Sequence, residues 1–381
     1  MKAMILAAGK GTRVQPITHE IPKPMIPVIN QPVMELIIQH MKSHNFTDFV
    51  VNVSHLAHLI EDYFQDGSRL GVQMAFSWEG YFKDDEWVGD AIGSAGGMRL
   101  IQDRFGFFDQ TFAVLCGDAV IDVDFTRALE LHRENGAMAT IILKRVPKSE
   151  VSSYGVVLTD EDGRIVSFQE KPTAEEAKSD LVNTGIYLFE PEIFNFIPKD
   201  CIYDIGSDLF PALVAAAVPF YGVELPFQWI DIGKTPDLWN ATSMALQGQI
   251  HGFSMPGTEL SPGIWVGTNT RIDERAILTA PLYIGGSTVI EAGAVLRGPC
   301  VIQSGSMIES GAVIEKSLIW HHTRISGIAN ISEKIIFGNH CIDFDGDAVN
   351  LAAGGFDWLI ADRRSIRTDN PLDIDGIMPR K

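Results

Sequence analysis

Apolar positions split the chain into two regimes. In residues 1–240, short apolar runs alternate with helical spacing. The runs at 2–7, 49–53, 72–76, 111–116 and 139–144 predict strands. Val33, Leu36, Ile37, His40 and Met41 share one face of a helix predicted over 33–43. Helices are also predicted over 56–65 and 125–134, the second with Asp124 available as its N-cap. Strands alternating with helices imply βαβ units and a mostly parallel sheet. Ligands of such sheets bind beyond the carboxyl ends of the strands. The loops after Ala7 and Cys116 are therefore where chemistry is expected.

From residue 264 the period changes to six. Val266, Ile272, Leu278, Ile284, Ile290, Leu296, Ile302, Ile308 and Ile314 share one register, and Trp320 holds the tenth position. Small residues and glycines, such as Gly267, Gly285, Gly293 and Gly311, fall between them. A six-residue period means one short strand and one tight turn per repeat. Three repeats close a triangular coil with the aliphatic residues inward, which predicts a left-handed parallel β-helix. Three coils are expected, with a degraded fourth to about residue 342. Over 348–362 the pattern turns helical, which predicts a helical cap on the open strand edges. The expected organisation is a domain over 1–240, a linker over 241–262, a β-helix over 263–345, and a helix and tail over 346–381.

Composition removes several functional classes. A hydrophobic content of 46% excludes wholesale disorder. The longest apolar stretch, near 212–220, is interrupted by Pro219 and too short to span a bilayer, so no membrane partner is expected. The apolar run at the amino terminus is shorter than the ~7–15 residues of a signal-peptide core. Cys116, Cys201, Cys300 and Cys341 form no CxxC pair, which argues against a zinc knuckle and for a reduced, cytoplasmic setting. A net charge of -19 without a basic run excludes a nucleic-acid polymer as partner. Small anionic substrates require local cations or a metal to offset that field.

The first loop supplies such cations. It reads LAAGKGTR at 6–13, followed by Pro22-Lys23-Pro24. Gly9 and Gly11 let backbone N–H groups approach a phosphate, and Arg13 and Lys23 carry the charge a triphosphate requires. Val14 stands where a dinucleotide GxGxxG needs glycine, and Gln228 where a Walker loop ending in Gly233-Lys234-Thr235 needs one. A tight turn without ligand is the simpler alternative. Asp118 lies just past a buried strand and is a Mg²⁺ candidate; Asp231, after a short apolar run, is a candidate to complete the site. Asp122-x-Asp124 is a second possible pair, with Asp124 as a plain helix N-cap the simpler reading.

In this order, the pieces resemble a nucleoside-diphosphate-sugar pyrophosphorylase. The strings are LAAGKGTR…PKP at 6–24, GSAG at 93–96, GD at 117–118, YGVV at 154–157, FQEKP at 168–172, NTGIY at 183–187 and WIDIG at 229–233. The chain most resembles the mannose-1-phosphate guanylyltransferase-like branch and, within it, cyanobacterial-type enzymes that make UDP-glucose. The resemblance implies a Rossmann-like (GT-A-like) mixed α/β sheet followed by a hexapeptide β-helix. It implies the reaction of an NTP with a hexose-1-phosphate to NDP-hexose and pyrophosphate. UTP with glucose-1-phosphate is the implied pair, and GTP with mannose-1-phosphate the alternative. Leu6, Ala8, Gly9, Gly11, Thr12, Arg13, Gly93, Ser94 and Gly96 would bind the nucleotide. Arg13, Lys23, Asp118 and Asp231 would form the catalytic set, the two aspartates holding Mg²⁺. Gly155, Glu170 and Asn183 would contact the sugar and Lys171 its phosphate. Gln15 departs from the Arg of many relatives, and Ser94 from the commoner Thr. Trp78, Glu79 and the loop to Gly93 lie where a base would be read.

Three rivals are set against this expectation. A glycosyltransferase would use Asp122-x-Asp124. A hexapeptide acyltransferase would use His321, His322 or His340, for which solvent-facing turn histidines are the simpler reading. A non-catalytic paralogue would bind nucleotide-sugar only. The β-helix is expected to join copies of the chain into a homo-oligomer.

Overall fold

The first unit is built around the strand Lys2–Ala7. Ala3, Met4 and Ile5 are wholly buried, as a parallel strand covered on both faces requires. The computed structural model describes residues 1–365 of the 381. Lys2–Ala7 pairs in parallel with Asp48–Val53 on one side and Phe112–Cys116 on the other. Asp48–Val53 continues in parallel to Gln73–Trp78. On the other side the sheet turns antiparallel. Leu181–Phe189 runs against Phe112–Cys116, and Gly155–Thr159 and Ile165–Glu170 follow in turn. Ala139–Arg145 pairs with the same long strand and with Phe220–Glu224. The expected mostly parallel sheet therefore describes only the half that carries the first loop, and the whole sheet is mixed. The reason is the direction in which Leu181–Phe189 returns beside Phe112–Cys116.

Helices cover this sheet, and in Val33–Ser43 the buried face is turned from the expected one, with Met34 and Ile38 buried and Leu36 and His40 only half-buried. Val33–Ser43 buries Val33, Met34, Ile37, Ile38 and Met41. Ser94–Phe105 sends Ala95, Met98 and Ile101 into the main core. Asp124 caps Phe125–Glu134, its carboxylate accepting from the Arg127 N–H at 3.0 Å.

The second unit begins at Lys234. Its three parallel ladders confirm a coil of three short strands. Ile264–Val266, Leu282–Ile284 and Cys300–Ile302 stack on one face, and Arg271–Ile272, Val289–Ile290 and Met307–Ile308 on the next. Ile277–Thr279, Val295–Arg297 and Val313–Glu315 form the third. Ile284, Leu296, Ile302, Ile308 and Ile314 are wholly buried within it.

Two expectations for this unit need correction, and one boundary moves. Past Ile314 the register shortens by one: Ile302 pairs with Ile319, Ile308 with Ile325 and Ile314 with Ile331. The tenth inward position is therefore Ile319, not Trp320, because the corner between 314 and 319 lacks one residue. Trp320 packs instead edge-on against Phe337, with ring centroids 4.8 Å apart. The cap over 348–362 is not a helix. Ala348–Asn350 pairs with His340–Asp343, itself paired with Lys334–Phe337, and Ile360–Asp362 pairs with Thr323–Ile325. Open strand edges present N–H and C=O groups, which a strand satisfies and a helix cannot. The helical look of 348–362 came from Leu351 and Ile360, which enter the coil core, while Gly354-Gly355 would break a helix. The remainder of the predicted tail lies outside the described residues. Finally, the division falls at Gly233/Lys234 rather than 240, since helix Thr235–Leu246 belongs wholly to the second unit. Its Trp239 stacks on Phe344 at 4.4 Å. Among the described residues no helix is long and apolar enough to cross a membrane.

Candidate active site

The carboxyl end of Lys2–Ala7 opens into a cleft of about 410 Å³. Leu6, Ala8, Gly9, Gly11, Thr12 and Arg13 line it, as do Lys23, Gly93, Ser94 and Asp118. Most of the predicted nucleotide site is thereby gathered from three separate stretches of chain. Its first loop turns because Gly11 takes a φ of 62°, where a Cβ would stand 2.9 Å from Thr18 Cγ2. Thr18 Oγ1 donates to the Gly11 carbonyl at 2.9 Å and fixes the turn. Gly9 differs, because nothing lies within 4 Å of the position its Cβ would take. Its missing side chain leaves open space for a ligand. Lys10 and Arg13 have no hydrogen-bond or ion-pair partner among the described residues. Their charge is not neutralised by the protein, which suits them to an incoming polyanion.

The centre of the charge arrangement is Lys23. Its ammonium donates to Asp118 and lies 3.6 Å from Asp231. Burial pulls its pKa down, but Asp118 and then Asp231 outweigh burial and leave it above the ordinary lysine value. The two aspartates come from distant sequence. Asp118 sits in the turn after Phe112–Cys116, where the Gly117 N–H donates to Leu6 O at 3.0 Å. Asp231 ends the strand Trp229–Asp231, which pairs antiparallel with Ala119–Ile121 and places Asp231 opposite Ala119. The Ile232 N–H closes the arrangement on the Asp118 carbonyl at 3.1 Å.

The opposite wall is a buried polar chain that sequence reasoning found only in part. The Ala7 N–H donates to Asn52 Oδ1 at 2.9 Å, and Asn52 Nδ2 donates to Glu79 Oε1 at 2.8 Å. Glu79 Oε2 accepts from the Ile92 N–H at 3.2 Å. Burial raises the Glu79 pKa, while Asn52 and Ile92 counter it. Glu79 stood among the expected base-side residues; Asn52 did not. Its signal was present, since Asn52 is the one polar residue in the apolar run FVVNV. Cys116 also lines the cleft. Burial, then Asp118 and Asp231, push its thiol pKa up, so it is held as a neutral thiol and not as a nucleophile.

Two predicted residues have structural duties of their own. Ser94 Oγ donates to Asp204 Oδ2 at 2.7 Å and accepts from the Ile205 N–H at 2.8 Å. Gly96 is buried and faces backbone, since a Cβ there would stand 3.2 Å from Cys201 O. The predicted sugar residues lie beside the cleft rather than in its lining. Gly155 is paired with Glu170, and Lys171 lies 3.1 Å from the Glu170 carboxylate. Both charges are more than two-fifths exposed, so the pair contributes little to stability. Asn183 donates from Nδ2 to the buried Tyr187 hydroxyl at 3.0 Å and accepts from the Gly185 N–H at 2.9 Å. Gly185 packs against Cys116, which links this group to the cleft.

The carboxylates of the rival Asp122-x-Asp124 reading are engaged elsewhere. Asp122 accepts from the Gln228 N–H, 106 residues on, and Asp124 caps its own helix, so both carboxylates bind backbone. His321, His322 and His340 carry no hydrogen bond to a carboxylate among the described residues.

A glycine-lined cleft with Arg13 uncommitted and Lys23 held by Asp118 and Asp231 has the features of a site that receives the phosphates of a nucleotide in a group transferase. The chain belongs to the nucleotidyl transferase family, which matches residues 2–248. It is 52% identical over 365 residues to a UTP–glucose-1-phosphate uridylyltransferase of Synechocystis sp., covering 96% of this chain and 94% of that one. It is 30% identical to a mannose-1-phosphate guanylyltransferase of Mycobacterium tuberculosis, over 72% of this chain and 79% of that one. A solved UDP-glucose pyrophosphorylase in complex with UDP-glucose shares the fold, with a TM-score of 0.55 at 21% identity, over 65% of this chain and 98% of that one. A glucose-1-phosphate thymidylyltransferase structure from Bacillus anthracis does so with a TM-score of 0.56 at 23% identity, over 67% and 98%.

Proposed function

We propose that the chain transfers the uridylyl group of UTP to glucose-1-phosphate, giving UDP-glucose and pyrophosphate. The observation that carries this reading is the convergence of Lys23, Asp118 and Asp231 beside a glycine loop with uncommitted cations. The resemblance to the Synechocystis enzyme selects the base and sugar. A phosphate oxygen of glucose-1-phosphate attacks the α-phosphorus of UTP, and the bond from that phosphorus to the bridging oxygen breaks. Pyrophosphate leaves with the bond electrons. The attacking phosphate is already ionised near pH 7, so no general base is required. Two polyanions must be held together, and catalysis is positioning with charge neutralisation.

Each residue then has a task. Gly9 and Gly11 admit the triphosphate to backbone N–H groups, and Lys10, Arg13 and Lys23 offset its charge. Glu79 keeps acceptor capacity for a base N–H beside its contacts to Asn52 and Ile92. Asn183, oriented by Tyr187, and Glu170 receive the sugar hydroxyls, and Lys171 its phosphate. Asp118 and Asp231 suit a hard divalent cation, being two oxygen donors a quarter exposed on one lysine. Mg²⁺ held by them would supply Lewis-acid neutralisation of phosphate charge.

Pyrophosphate release measured across four NTPs with glucose-1-phosphate and mannose-1-phosphate tests the proposal. UTP with glucose-1-phosphate is expected to exceed every other pair in kcat/KM by about tenfold or more. A lead for GTP with mannose-1-phosphate would replace the substrates and keep the reaction. Absence of pyrophosphate with every pair would leave a nucleotide-sugar-binding paralogue.

Assembly is part of the same proposal. Ile277, Val295 and Val313 form an outward aliphatic row on one face of the β-helix, with Ile277 57% exposed. We place the homo-oligomer contact on this unit. Light scattering of a chain truncated after Gly257 is expected to show fewer subunits than the full chain, and an unchanged number removes the idea.

A further inference from the structure

The second unit carries a concentration of positive charge that the reaction does not use. A groove of about 500 Å³ runs across successive corners of the β-helix, lined by Asn269, Arg271, Ser287, Val289, Gly305, His322, Arg363 and Arg364. Three guanidiniums and a histidine meet there in a chain of net charge -19, and no lining residue is acidic. Chance placement on so acidic a surface would favour carboxylates.

The groove is built rather than incidental. Asn269, Ser287, Gly305 and His322 occupy the equivalent corner in successive coils, each with a φ between 56° and 76°. Gly305 allows the His322 ring to lie against it, because a Cβ there would stand 2.3 Å from Nδ1. Arg363 is pinned by its backbone N–H, which donates to the His322 carbonyl at 2.6 Å. Its Nη1 donates to the carbonyls of Ser287, Gly305 and Ser306 at 3.0 to 3.2 Å. The rest of that guanidinium has no partner among the described residues, and neither has the side chain of Arg271. Arg364 is the exception, since it is held by Asp362 at 2.7 and 3.0 Å and is neutralised there. The free guanidinium of Arg271, the remaining N–H groups of Arg363 and an imidazole around a groove offer planar donors of the kind that receive phosphate oxygens.

We propose that this corner groove, through Arg271, His322 and Arg363, binds a small phosphate-bearing anion at a site separate from the nucleotide cleft. A free phosphate and the phosphoryl group of a phosphorylated hexose share this chemistry.

Arginine modification by phenylglyoxal, followed peptide by peptide on the full chain, tests the proposal without interference from anions in the cleft. Inorganic phosphate at ten times its dissociation constant is expected to slow labelling of Arg271 and Arg363 by about tenfold. Arg104, an exposed arginine of the first unit, serves as the control and is expected to label at an unchanged rate. In Arg271→Gln, an exposed side chain without partners, phosphate should protect Arg363 several-fold less. Protection at a lower concentration of glucose-1-phosphate than of phosphate supports the site and identifies a phosphoester as its ligand. Equal concentrations support it with free phosphate as ligand. Unchanged labelling of Arg271, equal slowing by chloride at the same ionic strength, or undiminished protection of Arg363 in Arg271→Gln each overturns it.

Discussion

Asp118→Asn and Asp231→Asn are each expected to lower Mg²⁺-dependent kcat by about 10²–10³ or more while leaving the thermal midpoint near that of the parent chain. The magnitude follows from the several kcal/mol that metal-assisted charge neutralisation contributes to a phosphoryl transition state. Removing one oxygen charge weakens the hold on a divalent cation and on Lys23 together. Stability is spared because Lys23 keeps the second aspartate within reach, and both carboxylates are partly open to water. Steady-state pyrophosphate release with varied Mg²⁺, beside a melting curve, checks both halves. Full activity in either variant would sink the two-carboxylate site. A chelator added to the parent chain is expected to reproduce the loss reversibly.

Gly93→Ala is expected to destabilise the first unit by ~3 kcal/mol or more, and Gly9→Ala hardly at all. Gly93 has a φ of 83° and a ψ of 154°, a region that only glycine enters without strain. A Cβ there would also stand 2.4 Å from the Tyr203 carbonyl oxygen, so backbone must move. The displaced segment carries the Ile92 N–H bound to Glu79, so nucleotide affinity should fall as well. Gly9 has no atom within 4 Å of the added methyl, so its folded state is undisturbed. Under the proposed function, the methyl would instead intrude on the room into which phosphate is received. Denaturant midpoints with nucleotide KM separate the two effects: a stability loss for Gly93→Ala, and a raised KM at unchanged stability for Gly9→Ala. Equal behaviour of the two variants contradicts the distinct roles assigned to them.

How far the site could be read in advance depended on whether its residues carry a local signal. The glycine loop did, because glycines beside cations just past a strand form a pattern visible within one short stretch of chain. Asp118 did, through its place just past a buried run. Asn52 carried only the faint mark of a polar residue in an apolar strand. Asp204 carried none, since its partner Ser94 is remote in the chain and nothing local shows that they meet. Ser94 and Gly96 show the converse, where a matching motif named residues whose local contacts are to the protein's own backbone and side chains. The failed helical cap has the same origin. Apolar spacing over 348–362 reports which residues are buried, and Leu351 and Ile360 are. It does not report the hydrogen-bonding needs of a strand edge elsewhere in the chain.

By itself the sequence determined the six-residue coil, since each aliphatic residue must point inward once per short strand. It also carried the ordered motifs that mark the nucleotidyl transferase family to which the chain belongs. Only the tertiary structure decided that Asp231 faces Asp118 across Lys23, through the two-stranded pairing of Trp229–Asp231 with Ala119–Ile121. It also decided the shortened register at Ile319, where a corner one residue short shifts the rungs that follow as far as Ile331. The physical reason is common to both. Periodicity is a property of neighbours along the chain, whereas pairing between distant strands is chosen by burial and hydrogen-bond satisfaction over the whole fold.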